Sequence, residues 1–271
     1  MPTISICTIV KNEERRMKEF ISSLIVFADE IIMIDTGSTD ETLKIIEDFV
    51  KNNNNIKLYK YFYEGVFHYG KAKNFAIEKA SEDYVIVLDA DEKLSDEFKN
   101  NIRGFLEKET PDIARIKRID DYINRLIDYP ERIIKNNINT FYKINERGMV
   151  HESLEHFREV KDFINYPIWH CQRWNHYAYR PQRIFSQLEL QVERAHKTKS
   201  FAGHCIRGVW YAQFRFKKLY IKRKLYKNGK RGFKYAFMRA LDAFLIELFV
   251  GLKPKKDFKY WENDNYKKSI K

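Results

Sequence analysis

The chain has 271 residues, 32% of them charged and 15% aromatic, with only 10 glycines and 6 prolines. That length suits one α/β domain of about 200 residues plus an appendage, and the composition predicts order nearly throughout. The net charge of +12 is uneven, because residues 197–271 carry 21 Lys and Arg against 5 Asp and Glu while the rest is slightly acidic. An anionic partner, a lipid face or a nucleic acid, therefore belongs to the C-terminal part.

Ile4 to Val10 (ISICTIV) is a short apolar, β-rich run, and Met17, Phe20, Ile21 and Leu24 then recur at helical spacing. Glu30 to Asp35 (EIIMID) predicts a second buried strand. Ser38 to Glu41 (STDE) has the spacing of a capping box opening a helix with Leu43, Ile46 and Val50. Ile56 to Phe62 gives a third strand, a helix follows with Ala72, Phe75, Ala76 and Ala80, and Asp83 to Asp89 (DYVIVLD) gives a fourth strand. Near-continuous apolar strands alternating with helices imply a parallel sheet covered on both faces, whose ligands bind at the carboxyl ends of the strands. Three polar clusters fall there: Lys11 to Glu13, Asp35 to Ser38, and Asp89 to Glu92.

A helix with Phe98, Ile102 and Phe105 comes next, and residues 113–170 read as strand and loop, with Ile138 to Ile144 a strand candidate. From Pro181 the pattern is helical: around Ile184 to Ala195, Ile206 to Tyr220 and Phe233 to Leu252. The last of these presents Phe237, Leu241, Phe244, Leu245 and Leu248. It also carries Lys234, Arg239, Asp242 and Glu247, too many charges to span a bilayer, so lying on an anionic lipid surface is the expectation. Nucleic-acid binding by the same basic, aromatic segment is the competing class, and it leaves the front half unexplained. Cys7, Cys171 and Cys205 are widely spaced and odd in number, unlike a zinc cluster or disulfide framework, and no basic-then-apolar leader opens the chain. A cytoplasmic setting, peripheral on the inner face of the cytoplasmic membrane, is expected.

The strongest local signal is VIVLDADE, where a buried strand delivers Asp89 and Asp91 around Ala90. Two carboxylates one residue apart at a turn suit Mg²⁺ or Mn²⁺ carrying phosphate oxygens. The plain alternative is a solvated acidic turn. Asp35, ending an apolar strand at the ligand edge, is hard to explain by packing. Glu13 reads equally as a first-turn helix acid, and Lys73 as a surface lysine.

The opening TIVKNEE, then IDTGSTDET, GKAKN and LDADE, in this order and spacing, resemble glycosyltransferase family 2 over residues 3–105. PERIIKNN (Pro130 to Asn137) and GMVHESLEH (Gly148 to His156) resemble a subgroup that includes lipopolysaccharide-core glycosyltransferases, extending the likeness to about residue 180. The resemblance implies a GT-A nucleotide-diphospho-sugar transferase fold, a mostly parallel central sheet flanked by helices with a helical C-terminal extension. It divides the chain into a catalytic domain over 1–180, with a nucleotide half over 1–105 and an acceptor half over 106–180, and a basic helical region over 181–271.

By the same resemblance Thr8, Val10 and Glu13 line the base and ribose, Asp35 faces the base, Lys73 approaches the nucleotide, and Asp89 with Ala90 meets the nucleotide-sugar. Asp91 is the direct ligand of a divalent metal, Mn²⁺ or Mg²⁺, with Asp89 and His170 as further ligands. A histidine in such an aromatic setting is also a common structural residue, and His176 competes for the role. Many family members carry a second carboxylate beside the one matching Asp35, where this chain has Thr36, so the base is less defined than its place. Glu152 is implied as the base for inverting transfer, with Asp120, Asp121 and Glu155 as rivals. His151 and Trp174 are acceptor candidates, although aromatics such as Trp169, Trp174, Tyr177 and Tyr179 also serve as core. The implied reaction moves a sugar from a nucleotide-diphosphate-sugar, a UDP-sugar first, to a cell-envelope glycolipid such as a lipopolysaccharide or lipooligosaccharide core. A peptide or a capsular polysaccharide is the alternative acceptor, and no nucleic acid is expected.

Overall fold

The computed structural model describes residues 1–63, 67–136, 138, 140–143, 154–155, 158–171 and 200–252. The front of the chain alternates as the periodicity predicts: β1 (Ile4–Val10), α1 (Glu14–Leu24), β2 (Glu30–Asp35), α2 (Thr42–Asn52), β3 (Ile56–Lys60), α3 (Tyr69–Glu78) and β4 (Tyr84–Val87). These strands pair in parallel in the order β3-β2-β1-β4, with Val10 opposite Asp35 and Cys7 opposite Val87. The register brings the polar loops after β1, β2 and β4 to one edge of the sheet.

Both faces of this sheet are covered, which is why its strands carry no polar alternation. On one face Met17, Phe20, Ile21 and Leu24 of α1 and Ile46 of α2 pack with Ile4, Ile6, Val10, Ile31 and Met33. On the other, Ala76 and Phe75 of α3 meet Cys7, Ile32, Ile34, Val85 and Val87. The capping box predicted at Ser38 does not form. The Ser38 hydroxyl accepts instead from the Asn12 N–H (3.0 Å), and Asp40 accepts the Thr42 N–H (3.0 Å) at the start of α2. A contact between the loops after β1 and β2 outcompetes the local cap.

The chain continues through β5 (Glu92–Leu94), α4 (Asp96–Glu109), β6 (Ile113–Asp120), β7 (Ile127–Asp128), β8 (Glu131–Lys135), β9 (Phe141–Tyr142), β10 (Leu154–Glu155) and β11 (Val160–His170). Ser95 caps α4, its hydroxyl accepting the Phe98 N–H (3.1 Å), and Phe98, Ile102 and Leu106 pack on the first face. The sheet extends as β4-β8-β6-β11-β5, with β7 on β6, and β8 runs antiparallel to both β4 and β6. The sheet is thus mixed beyond β4, where the sequence led us to expect it mostly parallel. The connections between β6, β7 and β8 are too short for the crossover that parallel pairing requires. Within the Ile138 to Ile144 candidate, the described strand is β9 alone, paired with β10.

Contacts divide the chain into two compact units, residues 1–121 with 127–171, and residues 122–126 with 172–271. In the second, the described residues form α5 (Phe201–Phe216), a π-helical turn over Lys217–Lys222, a 3-10 turn over Leu225–Asn228, and α6 (Gly229–Leu252). Ile123, Leu219, Leu225 and Ala236 are its small buried cluster. The helix expected over Ile184 to Ala195 lies outside the described residues. Among those described, no helix is long and apolar enough to cross a membrane.

Candidate active site

The loops after β1 and β2 are tied to each other before any ligand is considered. Asn12, at a positive φ of 56°, accepts the Thr39 N–H (2.8 Å), and Thr42 Oγ1 accepts the Glu13 N–H (2.7 Å). Asp35 is buried and accepts the N–H groups of Gly37 (3.0 Å) and Ser38 (3.2 Å). Its place therefore has a local reason that strand patterning does not reveal: it closes a turn at which Gly37 takes φ 96°. Val10 is packed into the core, and what it gives the site edge is its carbonyl, which accepts from Thr36 N (3.0 Å) and Oγ1 (3.0 Å). Thr8 is buried, and its hydroxyl has no hydrogen-bond partner among the described residues. Glu13 pairs with Arg16 (3.0 Å) at the start of α1.

Asp89 follows β4, and the antiparallel return of β8 brings Arg132 beside it, one residue past the Ile86–Ile133 pair. The guanidinium of Arg132 forks onto both Asp89 oxygens and also reaches Glu92 Oε1 (3.1 Å). Arg118 of β6 binds the same Glu92 oxygen (2.7 Å) and holds Asp128 (2.8 Å from Nε). Glu92 Oε2 accepts the Asp89 N–H (3.0 Å), closing the turn that carries Ala90 and Asp91. From α3, Lys73 is buried with its ammonium 3.4 Å from Asp89 and 5.3 Å from the centre of the Tyr142 ring. Asn74 clamps that ring's strand, accepting the Tyr142 N–H (2.7 Å) and donating to its carbonyl (3.0 Å).

These charges have left water together, so each ionised form depends on its neighbours. Burial works to raise the Asp89 carboxyl, but Arg132, Lys73 and Arg118 outweigh it and hold Asp89 well below the usual carboxylate range. Burial likewise opposes the charged forms of Arg132 and Arg118. Asp89 and Glu92 overcome it at the first, Asp128 and Glu92 at the second.

A second group stands beside the first. β11 pairs antiparallel with β5 and parallel with β6, so His170 lies opposite Glu92 on one side and Asp120 on the other. Its Nε2 is 3.3 Å from Asp91 and its Nδ1 is 3.7 Å from Asp120. The Asp91 carbonyl accepts the Cys171 N–H (2.7 Å), and Arg16 donates to the Cys171 carbonyl (3.3 Å). Burial disfavours a charged imidazole, yet hydrogen bonds to Asp120 and Asp91 raise His170 to about 9. Asp91 is lowered, since His170 outweighs the effect of its burial.

Of the expected metal ligands, the structure brings Asp91 and His170 together and turns Asp89 toward the basic side chains. Among the described residues, no group of three His, Cys, Asp or Glu is arranged to hold a metal. Asp91 and His170 remain a fitting pair: one oxygen and one nitrogen donor about a hydrogen bond apart, where a divalent cation would replace the bridging proton and keep positions for phosphate oxygens. Glu152, His151, Trp174 and His176 lie outside the described residues. Of the rival bases, Asp120 faces His170, Asp121 donates its N–H to the His170 carbonyl (3.1 Å), and Glu155 sits on β10, 4.0 Å from Lys143. Sequence reasoning assigned no role to Arg118, Arg132 or Asn74. The arginine of PERIIKNN and the asparagine of GKAKN were the available signals.

The model of the family described as "Glycosyl transferase family 2" matches residues 5–247. The prophage-derived glycosyltransferase SunS of Bacillus subtilis (strain 168) is 31% identical over 176 residues, 62% of this chain and 39% of its own length. An uncharacterized glycosyltransferase of Rickettsia typhi is 34% identical over 102 residues, 38% of this chain and 32% of its own. The chain thus covers only 39% and 32% of these two curated relatives. The solved structure of S. aureus TarS 1-349 in complex with UDP-GlcNAc superposes with a TM-score of 0.51 at 16% identity, covering 91% of this chain and 81% of that one. This likeness shows the fold, which is that of GT-A glycosyltransferases.

Proposed function

The chain belongs to glycosyl transferase family 2, and from that premise we propose that it moves a sugar, with inversion, from a nucleoside-diphosphate-sugar to a hydroxyl of a cell-envelope glycolipid. A lipopolysaccharide or lipooligosaccharide core is the acceptor class, and the chain works peripherally on the inner face of the cytoplasmic membrane. A UDP-sugar is the first donor to test, TarS of the same fold having been solved with UDP-GlcNAc. The supporting observation is the juxtaposition, at the carboxyl ends of the strands, of the Asp91–His170 pair with the Lys73–Asp89–Arg132 cluster.

Asp91 and His170 would hold a Mn²⁺ or Mg²⁺ ion, which when bound neutralises charge on the departing diphosphate. Lys73, stiffened by burial and by the Tyr142 ring, adds a positive charge at the same edge. Arg132 and Glu92 fix Asp89 so that its carboxylate enters the site ionised and in one orientation. Glu152, in the role that the resemblance gives it, takes the proton of the acceptor hydroxyl as that oxygen attacks the anomeric carbon. Thr8, Val10, Glu13 and Asp35 then form the base end of the donor site.

Thermal-shift titration with UDP-, GDP-, ADP- and dTDP-sugars, with and without Mn²⁺, tests the donor assignment, and we expect a UDP-sugar to stabilise the protein in a metal-dependent way. Asp91→Asn should abolish the metal dependence and lower transfer at saturating donor by roughly 10²–10³-fold. Full turnover by Asp91→Asn, or indifference of the protein to every donor, would overturn the proposal.

A further inference from the structure

The helix pair of the second unit buries ion pairs and exposes large apolar side chains. α6 buries Arg239, Asp242 and Glu247, while Phe233, Phe237 and Leu252 are exposed. The buried charges are paired: Arg239 lies 3.1 Å from Asp242, and Glu247 lies 3.1 Å from His204 of α5. On α5, Ile206, Trp210 and Phe214 are exposed at 73%, 58% and 52% along one helical stripe. Trp210 and Phe214 stack, their ring centres 5.6 Å apart and planes within 9°. A surface helix in water turns its apolar stripe inward and its charges out. Here two ion pairs sit inward, among Ala236, Ala240, Ile246 and Val250, while large aromatic side chains face out.

The two helices also approach through glycines. A side chain at Gly208 would meet Phe244 at 3.1 Å and Glu247 at 3.3 Å, and one at Gly251 would meet His204 at 2.8 Å. Small residues and polar pairs between helices, with large apolar side chains outside, are the pattern of helices that pack against each other in contact with lipid. Neither helix is apolar enough to cross a bilayer, which leaves the interface.

Charge supplies the rest. From Arg215 to Arg231, nine of seventeen residues are Lys or Arg and none is acidic. Lys217, Lys222, Arg223 and Lys227 in the turns between α5 and α6 are exposed. Interleaved with them, Ile221 and Tyr226 are exposed too. Basic side chains at the end of an apolar helix pair match the headgroups of an anionic bilayer, and a second copy of this chain would bring its own equal positive charge to the same corner.

We infer that the outward apolar stripes of α5 and α6, with the basic turns between them, form a seat in the interfacial layer of an anionic lipid bilayer. This gives the membrane contact of the proposed function its residues and its mode. It stands on the helix pair alone, so its failure leaves the transfer reaction untouched.

The experiment is flotation of the purified full chain with phosphatidylcholine vesicles, with and without about one third phosphatidylglycerol. The chain should float with the anionic vesicles only. Salt should weaken that binding, and Lys222→Glu with Lys227→Glu should lower it by about tenfold or more. Trp210→Ser with Phe214→Ser should also release the chain, since both side chains are more than half exposed and their loss costs the fold little. If that pair misfolds, quenching of tryptophan emission by brominated lipid replaces it, with Trp210→Phe expected to remove most of the quenched signal. Release of UDP from donor, measured without lipid, reports on the reaction separately. Absence of flotation, flotation of both variant pairs undiminished from wild type, or a dimer dissociated by the Trp210 and Phe214 substitutions in a chain that ignores vesicles would each overturn the inference.

Discussion

Replacing Arg132 with methionine removes the guanidinium and keeps most of the side-chain volume. In the native molecule Arg132 is 6% exposed and lies between Asp89, 31% exposed, and Glu92, which is fully buried. Removing one partner of a buried ion pair costs ~3–5 kcal/mol, because the other charge stays buried without compensation. Arg118 still holds Glu92, and Asp89 reaches solvent, so we place the loss at ~2–4 kcal/mol, or roughly 4–8 °C in Tm for a chain of this size. Circular dichroism melts across pH give the sharper check. Because Asp89 is held below its ordinary range when folded, its stabilisation is present above the unfolded carboxylate value of about 3.9 and is lost as pH falls through the folded one. The gap between wild type and Arg132→Met should be widest near neutrality and begin to close below about pH 4. On the Arg132→Met background, Asp89→Asn should cost little or restore stability, since it removes the stranded charge. A variant within about 1 kcal/mol of wild type at pH 7, or a gap that does not change down to pH 3.5, would refute this account of the cluster.

Glu30→Gln addresses a charge away from the site. Glu30 is buried and accepts from Ser5 (2.6 Å), Ser81 N (2.9 Å), Ser81 Oγ (2.8 Å) and Lys57, and these bonds outweigh burial to lower its pKa. The substitution should cost ~1–3 kcal/mol at pH 7 and progressively less below about pH 4.5, read as a converging urea midpoint. Gly232→Ala puts a methyl group 1.9 Å from the Leu225 carbonyl oxygen, and only backbone movement relieves that overlap. We expect at least ~2 kcal/mol of lost stability and increased proteolysis at the turn before α6, whereas Gly104→Ala, with nothing within 4 Å, should be neutral or stabilising.

How much of this was legible follows from the range of each interaction. The α1 stripe of Met17, Phe20, Ile21 and Leu24 is a local pattern, and it packs as the spacing predicts. The strand-end polar clusters were legible because parallel strands joined by helices must put their carboxyl ends on one edge. Arg132 and Arg118 reach that edge through an antiparallel return whose register no local pattern records, and His170 meets Asp91 only because β11 lies between β5 and β6. At Ser38 the local signal was present and lost, since the Asn12 N–H competes for the same hydroxyl. On α6 the stripe of Phe237, Leu241, Phe244, Leu245 and Leu248 was visible. Pairing of Arg239 with Asp242 and of Glu247 with His204 shows which charges the helix can afford to bury.

The two aspartates of LDADE illustrate why spacing alone could not divide their labour. Seen in sequence they are equivalent donors, and a metal shared between them is the natural expectation. In the fold, Asp89 already faces two guanidinium groups and an ammonium, at distances where a divalent cation would meet repulsion from all three. Asp91 faces the His170 imidazole, 3.3 Å away, a group that is itself a metal donor once deprotonated. The cost of drawing a cation to Asp91 is therefore one histidine proton, while drawing it to Asp89 requires dismantling a buried ionic cluster. The proposed function divides the work on that difference: Asp91 with His170 would take the metal, and Asp89 would act as a fixed carboxylate beside Lys73 and Arg132.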